Sequence, residues 1–179
     1  MANGKKTEDV RPSPAPIRAL DAVDRTLLGA LAEDAERSYA ELGALVNLSP
    51  PAVHQRVRRL KARGCIRATV AIVDGAAIGR PLLAFVHVDT EGWGAKREMR
   101  ALLELPEVEE LHTVAGDSCL LLKVRVADSG ALEGLLARLY GVPGVRGTRT
   151  QVVLSTYLER TTRAGISETM AAWAEERLR

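Results

Sequence analysis

Residues 48–67 have the sequence LSPPAVHQRVRRLKARGCIR, and this stretch decides the architecture of the amino-terminal part of the chain. Within it Val53, Val57 and Leu60 recur three or four residues apart, which is the spacing of an apolar stripe along a helix. The double proline is compatible with a helix start, because amide hydrogens at the first helical positions have no helical partner. With the preceding serine as its cap, the helix is predicted to begin at the prolines and to end at Gly64.

Two further helices are predicted upstream of this one. In LDAVDRTLLGALAEDAERS, which begins at residue 20, apolar residues recur with helical spacing, and Asp21 and Asp24 favour the positive end of that helix. Ser38 and Glu41 then have the spacing of a capping box at the start of a helix of about two turns. A short helix, a tight link and a capped third helix predict a helix-turn-helix, whose last helix enters the major groove of DNA.

The predicted third helix is strongly basic. Residues 48–67 contain six Arg or Lys side chains and no carboxylate, although like charges on one helix repel each other. A solvated basic face is one explanation, but the helix-turn-helix context favours DNA as the compensating polyanion. In that docking the amino-terminal part of the helix lies nearest the bases, and the arginines contact phosphates. The predicted DNA-contacting residues are Ser49, Pro50, Pro51, His54, Gln55, Arg58, Arg59, Arg63 and Arg67.

The segment after Gly64 changes from helical spacing to alternation. The stretch IRATVAIVD, residues 66–74, is rich in β-branched residues and predicts a strand that returns over the helices as a wing. We therefore expect a winged helix-turn-helix domain over 19–66 and a linker strand over 67–80. Residues 1–18 combine three prolines with charged residues and are expected to form a disordered tail.

The rest of the chain contains an internal repeat. The segment LLAFVHVD is echoed by LLLKVRVAD, and Leu120 follows Leu83 by 37 residues, the same separation as between Pro106 and Pro143. Each repeat predicts strand, helix, strand, and two such units in tandem form a four-stranded sheet with both helices on one face. The predicted fold class is therefore α+β, with the helix-turn-helix followed by a ferredoxin-like βαββαβ domain over 81–158. The last 15 residues resemble an amphipathic helix within a carboxyl-terminal tail over 159–179.

Charge and composition narrow the compartment and the chemistry. The formal net charge is +2, and the two cysteines stand in unrelated contexts that indicate a reducing compartment. No apolar run approaches the ~20 residues that cross a bilayer, and no secretory signal precedes the helices, so a cytoplasmic protein without membrane contact is expected. His87 and His112 have no third ligand at metal-binding spacing, and no catalytic set or phosphate loop occurs. We expect neither a metal, a cofactor nor an enzyme.

The order of motifs resembles that of a known family. The markers are Leu-Asp-x-x-Asp in the first helix, Glu-Leu in the second, Leu-Ser before the third, Arg-Val-x-x-Leu within it and Gly-x-Ile after it. A Gly-Asp turn and a Pro-Gly-Val follow in the second domain. Over residues 19 to 158 the chain resembles the leucine-responsive and asparagine-operon (Lrp/AsnC) family of bacterial transcription regulators, and within it the regulators of alanine dehydrogenase genes.

The resemblance implies assembly and an amino-acid effector. It implies dimers formed through the sheet faces of the second domain, rings of dimers that are often octamers, and an effector between dimers at the turn after strand 2. In that turn Gly116 permits close approach, free amides suit an α-carboxylate and Asp117 suits an α-ammonium. Many relatives have Asp at the position of Cys119, so either Asp117 replaces it or the effector range differs. The implied effector residues are Val114, Ala115, Gly116, Asp117, Ser118 and Cys119.

Three functional hypotheses remain at this point. The first is a transcription regulator of amino-acid metabolism genes, such as that of alanine dehydrogenase, that binds double-stranded DNA and responds to an amino acid. The second is an architectural DNA-binding protein without an effector, for which the Gly-Asp turn is only a tight hairpin. The third is an amino-acid-binding subunit whose first domain has another purpose, which the acid-free basic helix disfavours.

Overall fold

The computed structural model describes residues 20–91 and 98–162, which divide into two compact units. Residues 20–70 with 160–162 belong to the first unit, and residues 71–159 belong to the second. The predicted amino-terminal tail and the predicted carboxyl-terminal helix lie outside the described residues, apart from residues 159–162.

The first unit contains the three predicted helices within residues 20–70, and their apolar stripes meet in one core. Leu27, Leu42 and Val53 are fully buried, and Val57 is 3% exposed. The stripe of the basic helix therefore faces the other two helices, as its spacing predicts. The helices are α1 (Ala22–Glu33), α2 (Tyr39–Val46) and α3 (Pro50–Ala62).

Two helix starts were expected to be capped by serine, and the structure confirms one of them. The Ser38 hydroxyl accepts from the Glu41 amide at 3.2 Å, and the Glu41 carboxylate accepts from the Ser38 amide at 2.7 Å. These bonds hold the pKa of the Glu41 carboxyl below its usual value. The cap predicted for Ser49 is wrong, because its side chain makes no capping bond. Pro50 and Pro51 occupy the first two helical positions and have no amide hydrogens to offer it.

A three-residue link joins α2 to α3 and sets the helix-turn-helix. Asn47 adopts the left-handed conformation with φ 53°, and the Leu48 amide donates to the Gly43 carbonyl at 3.0 Å. A Cβ at Gly43 would lie 2.4 Å from the Leu48 carbonyl oxygen. Backbone rather than a movable side chain fills that space, so glycine is required for a link this tight.

The predicted strand over residues 66–74 is not formed. Residues 67–74 have no regular secondary structure, and the carboxylate of Asp74 accepts from the Ala76 amide at 2.7 Å in the turn that follows. A strand requires a neighbouring backbone to bond with, and no strand of the described residues pairs with this segment. Its side chains Val70 and Ile72 remain 75% and 76% exposed. The linker strand and the wing are therefore absent from the described part of this single chain.

The second unit has the predicted ferredoxin-like topology. Its described strands form one four-stranded sheet in the order β2-β3-β1-β4, and all three neighbouring pairs are antiparallel. Each half of the repeat supplies one central and one edge strand, which places the two halves side by side in an interleaved sheet. The elements are β1 (Leu82–Thr90), α4 (Glu98–Leu103), β2 (Val108–Thr113), β3 (Leu120–Val126), α5 (Ser129–Tyr140) and β4 (Val145–Val152).

One face of this sheet packs on the helices to form the core. Alternate residues of the central strands point to that side, and α4 and α5 contribute leucines. The opposite, open face bears the residues between them, among which are His87 of β1 and Lys123 of β3. The buried core includes Ala84, Val86, Val88, Leu102, Leu120, Leu122, Val124, Leu135 and Leu139.

The tight link predicts a large difference between two glycine substitutions in helices. Gly43→Ala places a methyl group against backbone and is expected to destabilise the first unit by roughly 1–3 kcal/mol. Gly134→Ala in α5 is the control, because a Cβ there meets nothing within 4 Å. It is expected to stabilise by up to about 1 kcal/mol through helix propensity. Thermal melts of the two variants, followed by circular dichroism, test this; equal melting temperatures would contradict the prediction.

Candidate functional site

The outer surface of α3 presents nearly all of the predicted DNA-contacting residues. Eight of the nine are exposed, and only Arg63 is half-buried. Arg67 lies beyond the helix in the segment without regular structure. The His54 ring packs against the Tyr39 ring with centroids 5.2 Å apart, which ties the start of α2 to the exposed side of α3. The exposed polar side chains nearest the start of α3 are those of Ser49, His54 and Gln55.

A buried carboxylate on α1 compensates part of the charge of α3. Asp24 is 2% exposed, and it forms ion pairs with Arg56 at 2.8 Å, Arg59 at 3.3 Å and Arg63 at 3.7 Å. Arg56 also contacts Asp21 at 2.7 Å. The prediction that the repulsion along α3 is left entirely to DNA is therefore wrong for three of its six basic residues.

This cluster was missed because its members are distant in the sequence. Asp24 lies 32 residues from Arg56. A signal was present nevertheless: Arg56, Arg59 and Arg63 recur at helical spacing, and the acidic residues of Leu-Asp-x-x-Asp recur three apart. Such matched spacings on two packed helices indicate a charged seam beside the apolar stripe.

The seam makes the first unit sensitive to acid. The hydrogen bond from Arg56, together with that from the Asp24 amide, holds the pKa of the Asp21 carboxyl below its ordinary value. A carboxyl with a depressed pKa adds stability at pH values above its unfolded pKa and loses that contribution as the pH falls through its folded pKa. The contact therefore contributes fully near neutral pH.

In the second unit a cavity lies beside the turn between β2 and β3. Its volume is about 370 Å³, and five of the six predicted effector residues line it, namely those of 114–118. Cys119 does not line the cavity. Its side chain packs against the helix-side core, and its sulfur lies 4.0 Å from the Thr90 carbonyl oxygen.

The turn itself holds its shape through glycine and one backbone bond. Gly116 has φ 140°, a conformation that residues with a Cβ rarely adopt. The Val114 amide donates to the Cys119 carbonyl at 3.1 Å and closes the turn. Ser118 is 5% exposed, so its hydroxyl is turned inward rather than to solvent.

Three side chains from the open sheet face complete the cavity lining. His87 of β1 pairs directly with Arg149 of β4, and Gln151 lies two residues further along β4. Arg149 donates a hydrogen bond to the Ser118 hydroxyl, which fixes the guanidinium beside the turn. These three residues were missed by sequence reasoning. The alternation of Arg149 and Gln151 with Thr148 and Thr150 placed them on one face, but only the strand register brings that face to the turn.

The cavity lining contains groups of both charges and both hydrogen-bonding types. Arg149 is a cation and Asp117 a carboxylate. Within residues 20–91 and 98–162, the side chains of Asp117, His87 and Gln151 have no hydrogen-bonding or ionic partner. A small molecule that carries both an anionic and a cationic group is therefore chemically suited to this cavity.

The histidines are separated by the sheet. His112 of β2 and His87 of β1 lie on opposite sides of β3, and His112 contacts Glu110 at 2.9 Å. Over the described ranges, no cluster of three His, Cys, Asp or Glu side chains has the proximity to hold a metal ion.

An ionic network covers part of the open sheet face. Glu159, which follows β4, contacts Lys123 of β3 and lies 3.6 Å from Arg125. The pKa of Lys123 is raised and that of Glu159 lowered by their hydrogen bond. The same segment exposes Leu154 and Tyr157 almost completely, at 95% and 96%. The edge of the face near β4 thus combines fixed charges with unpaired apolar side chains.

A helix-turn-helix with a basic outer helix, joined to a ferredoxin-like domain that holds a charged cavity, defines a DNA-binding regulator. Residues 20–61 match the model of the AsnC-type helix-turn-helix domain, and residues 83–163 match that of the Lrp/AsnC ligand binding domain. The chain belongs to the Lrp/AsnC family of transcription regulators, as its motifs predict. It is therefore a regulator of transcription and not an enzyme.

Relatives and solved structures agree with this assignment. The chain is 39% identical to the transcriptional regulator LrpA of Mycobacterium tuberculosis, over 78% of this chain and 93% of that protein. It is 39% identical to the leucine-responsive regulatory protein of Escherichia coli, over 78% and 87%. A feast or famine regulatory protein of M. tuberculosis complexed with L-methionine superposes with a TM-score of 0.73 at 36% identity, covering 81% of this chain and 99% of that one.

Within residues 20–91 and 98–162, the structure contains no helix with the length and apolar character to span a membrane.

Proposed function

We propose that this regulator binds an amino acid in the cavity beside residues 114–118 and that the amino acid alters its binding to DNA. One observation supports this most: the turn that the family resemblance assigns to an effector lines a cavity that also contains Arg149. The L-methionine complex of the M. tuberculosis relative supports an amino acid as the chemical class. Arg149 and Asp117 offer opposite charges to a zwitterion.

The arrangement suggests how each end of the amino acid is held. The guanidinium of Arg149, fixed by the Ser118 hydroxyl, and the amides of the turn suit the α-carboxylate. Asp117 is exposed and unpaired among the described residues, so it suits the α-ammonium. Cys119 lies outside the lining, and its thiol carries no fixed negative charge. Of the two explanations for the departure at Cys119, we therefore favour transfer of ammonium binding to Asp117.

The proposed DNA contacts divide by position on α3. Ser49, His54 and Gln55 lie nearest the base edges, and Gln55 has the amide geometry that pairs with adenine. Pro50 and Pro51 offer only apolar contact. Arg58 and Arg67 are exposed and unpaired among the described residues, and we assign them to phosphates.

The arginines of the charged seam contribute differently. Arg59 is 53% exposed at its side chain and reaches both Asp24 and solvent, so we keep it as a phosphate contact. Arg63 is 25% exposed and is directed to Asp24, which makes it a weaker candidate than the sequence suggested.

The proposed coupling requires more than one copy of the chain. A dimer presents two copies of α3 to successive major grooves, and several dimers, with an octamer as the expected ring, engage longer DNA. The open sheet face and the exposed Val70 and Ile72 support contact with another copy, because apolar side chains left in water favour association. An amino acid between dimers then changes how many half-sites bind together. Such a protein acts on the genome in the cytoplasm, on genes of amino-acid metabolism, for which that of alanine dehydrogenase is the example to test first.

Titrating amino acids against the full chain bound to operator DNA tests this function. Operators are first selected from a random duplex library with the wild-type chain. DNA affinity and assembly mass are then measured with each common amino acid. A shift in either quantity with at least one amino acid is expected. If none shifts either one, the effector proposal fails and the architectural alternative takes its place.

Arg149→Gln is expected to weaken amino-acid binding at least tenfold, because it removes a charge-assisted hydrogen bond to a carboxylate. Arg146→Gln is the matched control: it lies on the same strand, is 66% exposed and pairs with Glu91, outside the cavity lining. Isothermal titration calorimetry on both variants provides the comparison. Equal affinities of the two variants would exclude Arg149 as a ligand contact.

A further inference from the structure

We propose that the amino acid that binds this cavity has a carboxamide or carboxylate side chain, and that His87 and Gln151 recognise it. The inference rests on the proposed function and adds the class of the effector. It follows from what the lining offers after the charges of the amino acid are assigned to Arg149 and Asp117.

Strand geometry places the two recognition residues around Arg149. His87 is the direct cross-strand neighbour of Arg149, and Gln151 is two residues along β4 on the same face, about 7 Å away. An amino acid whose α-carboxylate lies at Arg149 therefore extends its side chain over a surface formed by an imidazole and a carboxamide.

Both groups are available for a ligand. Neither the His87 ring nor the Gln151 amide has a hydrogen-bond partner among the described residues, and each can donate as well as accept. Oxygen or amide nitrogen on the effector side chain satisfies them. A branched aliphatic or thioether side chain covers them without bonding, and a polar group covered in this way loses its hydrogen bonds to water.

The remainder of the lining does not create an apolar pocket that would reverse this preference. Val114 and Ala115 are its only apolar side chains, and the other six residues are Gly, Asp, Ser, His, Arg and Gln. A methionine-binding site on this surface would leave most of the lining polar and unmatched. The effector class is therefore expected to differ from that of the relative solved with L-methionine.

Calorimetric titration of the full chain with Asn, Gln, Asp, Glu, Leu and Met tests the inference. At least one of the first four is expected to bind about tenfold or more tightly than Leu and Met. Comparing the amides with the acids shows which of the two side-chain types is preferred.

Two single variants test the assigned residues, and the ratio of affinities within each variant does not depend on the folded fraction. Gln151→Leu and His87→Leu are each expected to reduce the preference for the polar amino acid over Leu by about tenfold. His112→Leu, which changes the other open-face histidine of the sheet outside the lining, is expected to keep the wild-type ratio.

The outcomes separate this inference from the proposed function. If Leu or Met binds the wild-type chain as tightly as the polar amino acids, the inference fails while the effector function stands. An unchanged ratio in both Gln151→Leu and His87→Leu also overturns it. If no amino acid binds or shifts DNA affinity, the proposed function itself fails.

Discussion

Arg58→Ala weakens binding of the full chain to duplex DNA by roughly tenfold and leaves folding unchanged, because Arg58 is exposed and has no partner among the described residues. Adding Arg59→Ala is expected to weaken binding further. Each phosphate contact that is lost releases fewer counterions on binding, so the slope of log affinity against log salt falls by ~0.9 per contact.

Fluorescence anisotropy over a series of salt concentrations measures both quantities. A duplex of random sequence suffices, since phosphate contacts do not depend on base sequence. Arg146→Ala, which removes the same charge from β4 in the second unit, is the matched control and is expected to keep the wild-type slope. If Arg58→Ala and Arg59→Ala together bind random duplex with the wild-type affinity and slope, α3 does not lie against DNA as we propose.

Base contacts predict a different pattern. Gln55→Ala is expected to change affinity for random duplex little but to reduce discrimination at one base pair of a selected operator, where a bidentate contact accounts for roughly 1–3 kcal/mol. The pairing of a uniform loss at Arg58 with a position-specific loss at Gln55 distinguishes groove docking from general attraction to a basic surface.

Asp24→Ala is expected to destabilise the first unit by about 3 kcal/mol. Asp24 is buried and forms ion pairs with three arginines, and removing one partner of a buried charge cluster leaves the others without compensation. The arginine side chains keep 25% to 53% exposure and are partly solvated, so the loss lies at the lower end of that range. Hydrogen exchange of peptides from α1 and α3 measures the effect within the first unit.

Two variants make this prediction specific. Asp24→Asn keeps the shape and one acceptor, and it is expected to destabilise less while increasing affinity for random duplex, because a negative charge beside α3 is removed. Glu33→Ala changes a carboxylate of the same helix that is 79% exposed, and its effect on exchange is expected to be negligible. Protection in Asp24→Ala equal to that in Glu33→Ala would show that the seam contributes nothing to stability.

Local sequence signals were sufficient for most of the secondary structure. The helices of the first unit follow from apolar spacing and from the capping box of Ser38 and Glu41, both of which act within a few residues. The ferredoxin-like order follows from the repeat, because a strand-helix-strand unit that occurs twice has few ways to close a sheet. The turn at Gly116 was predicted from its composition and from the family motif.

Errors arose where a local signal depended on a distant or missing partner. The β-branched segment after Gly64 has strand propensity, but propensity alone does not supply a neighbouring backbone. Ser49 is a good capping residue in isolation, yet the two prolines that mark the helix start also remove amides that it would bind.

The sequence by itself determined the two-part architecture, the basic helix and the turn at residues 114–118, because each depends on spacing within one segment. Only the tertiary structure decided that Asp24 holds Arg56, Arg59 and Arg63, and that His87, Arg149 and Gln151 share a cavity with that turn. Ser118 and Arg149 are 31 residues apart and meet because the sheet order brings the end of the turn and β4 together around β1. Helix packing and strand register, which no single segment encodes, set which side chains become neighbours.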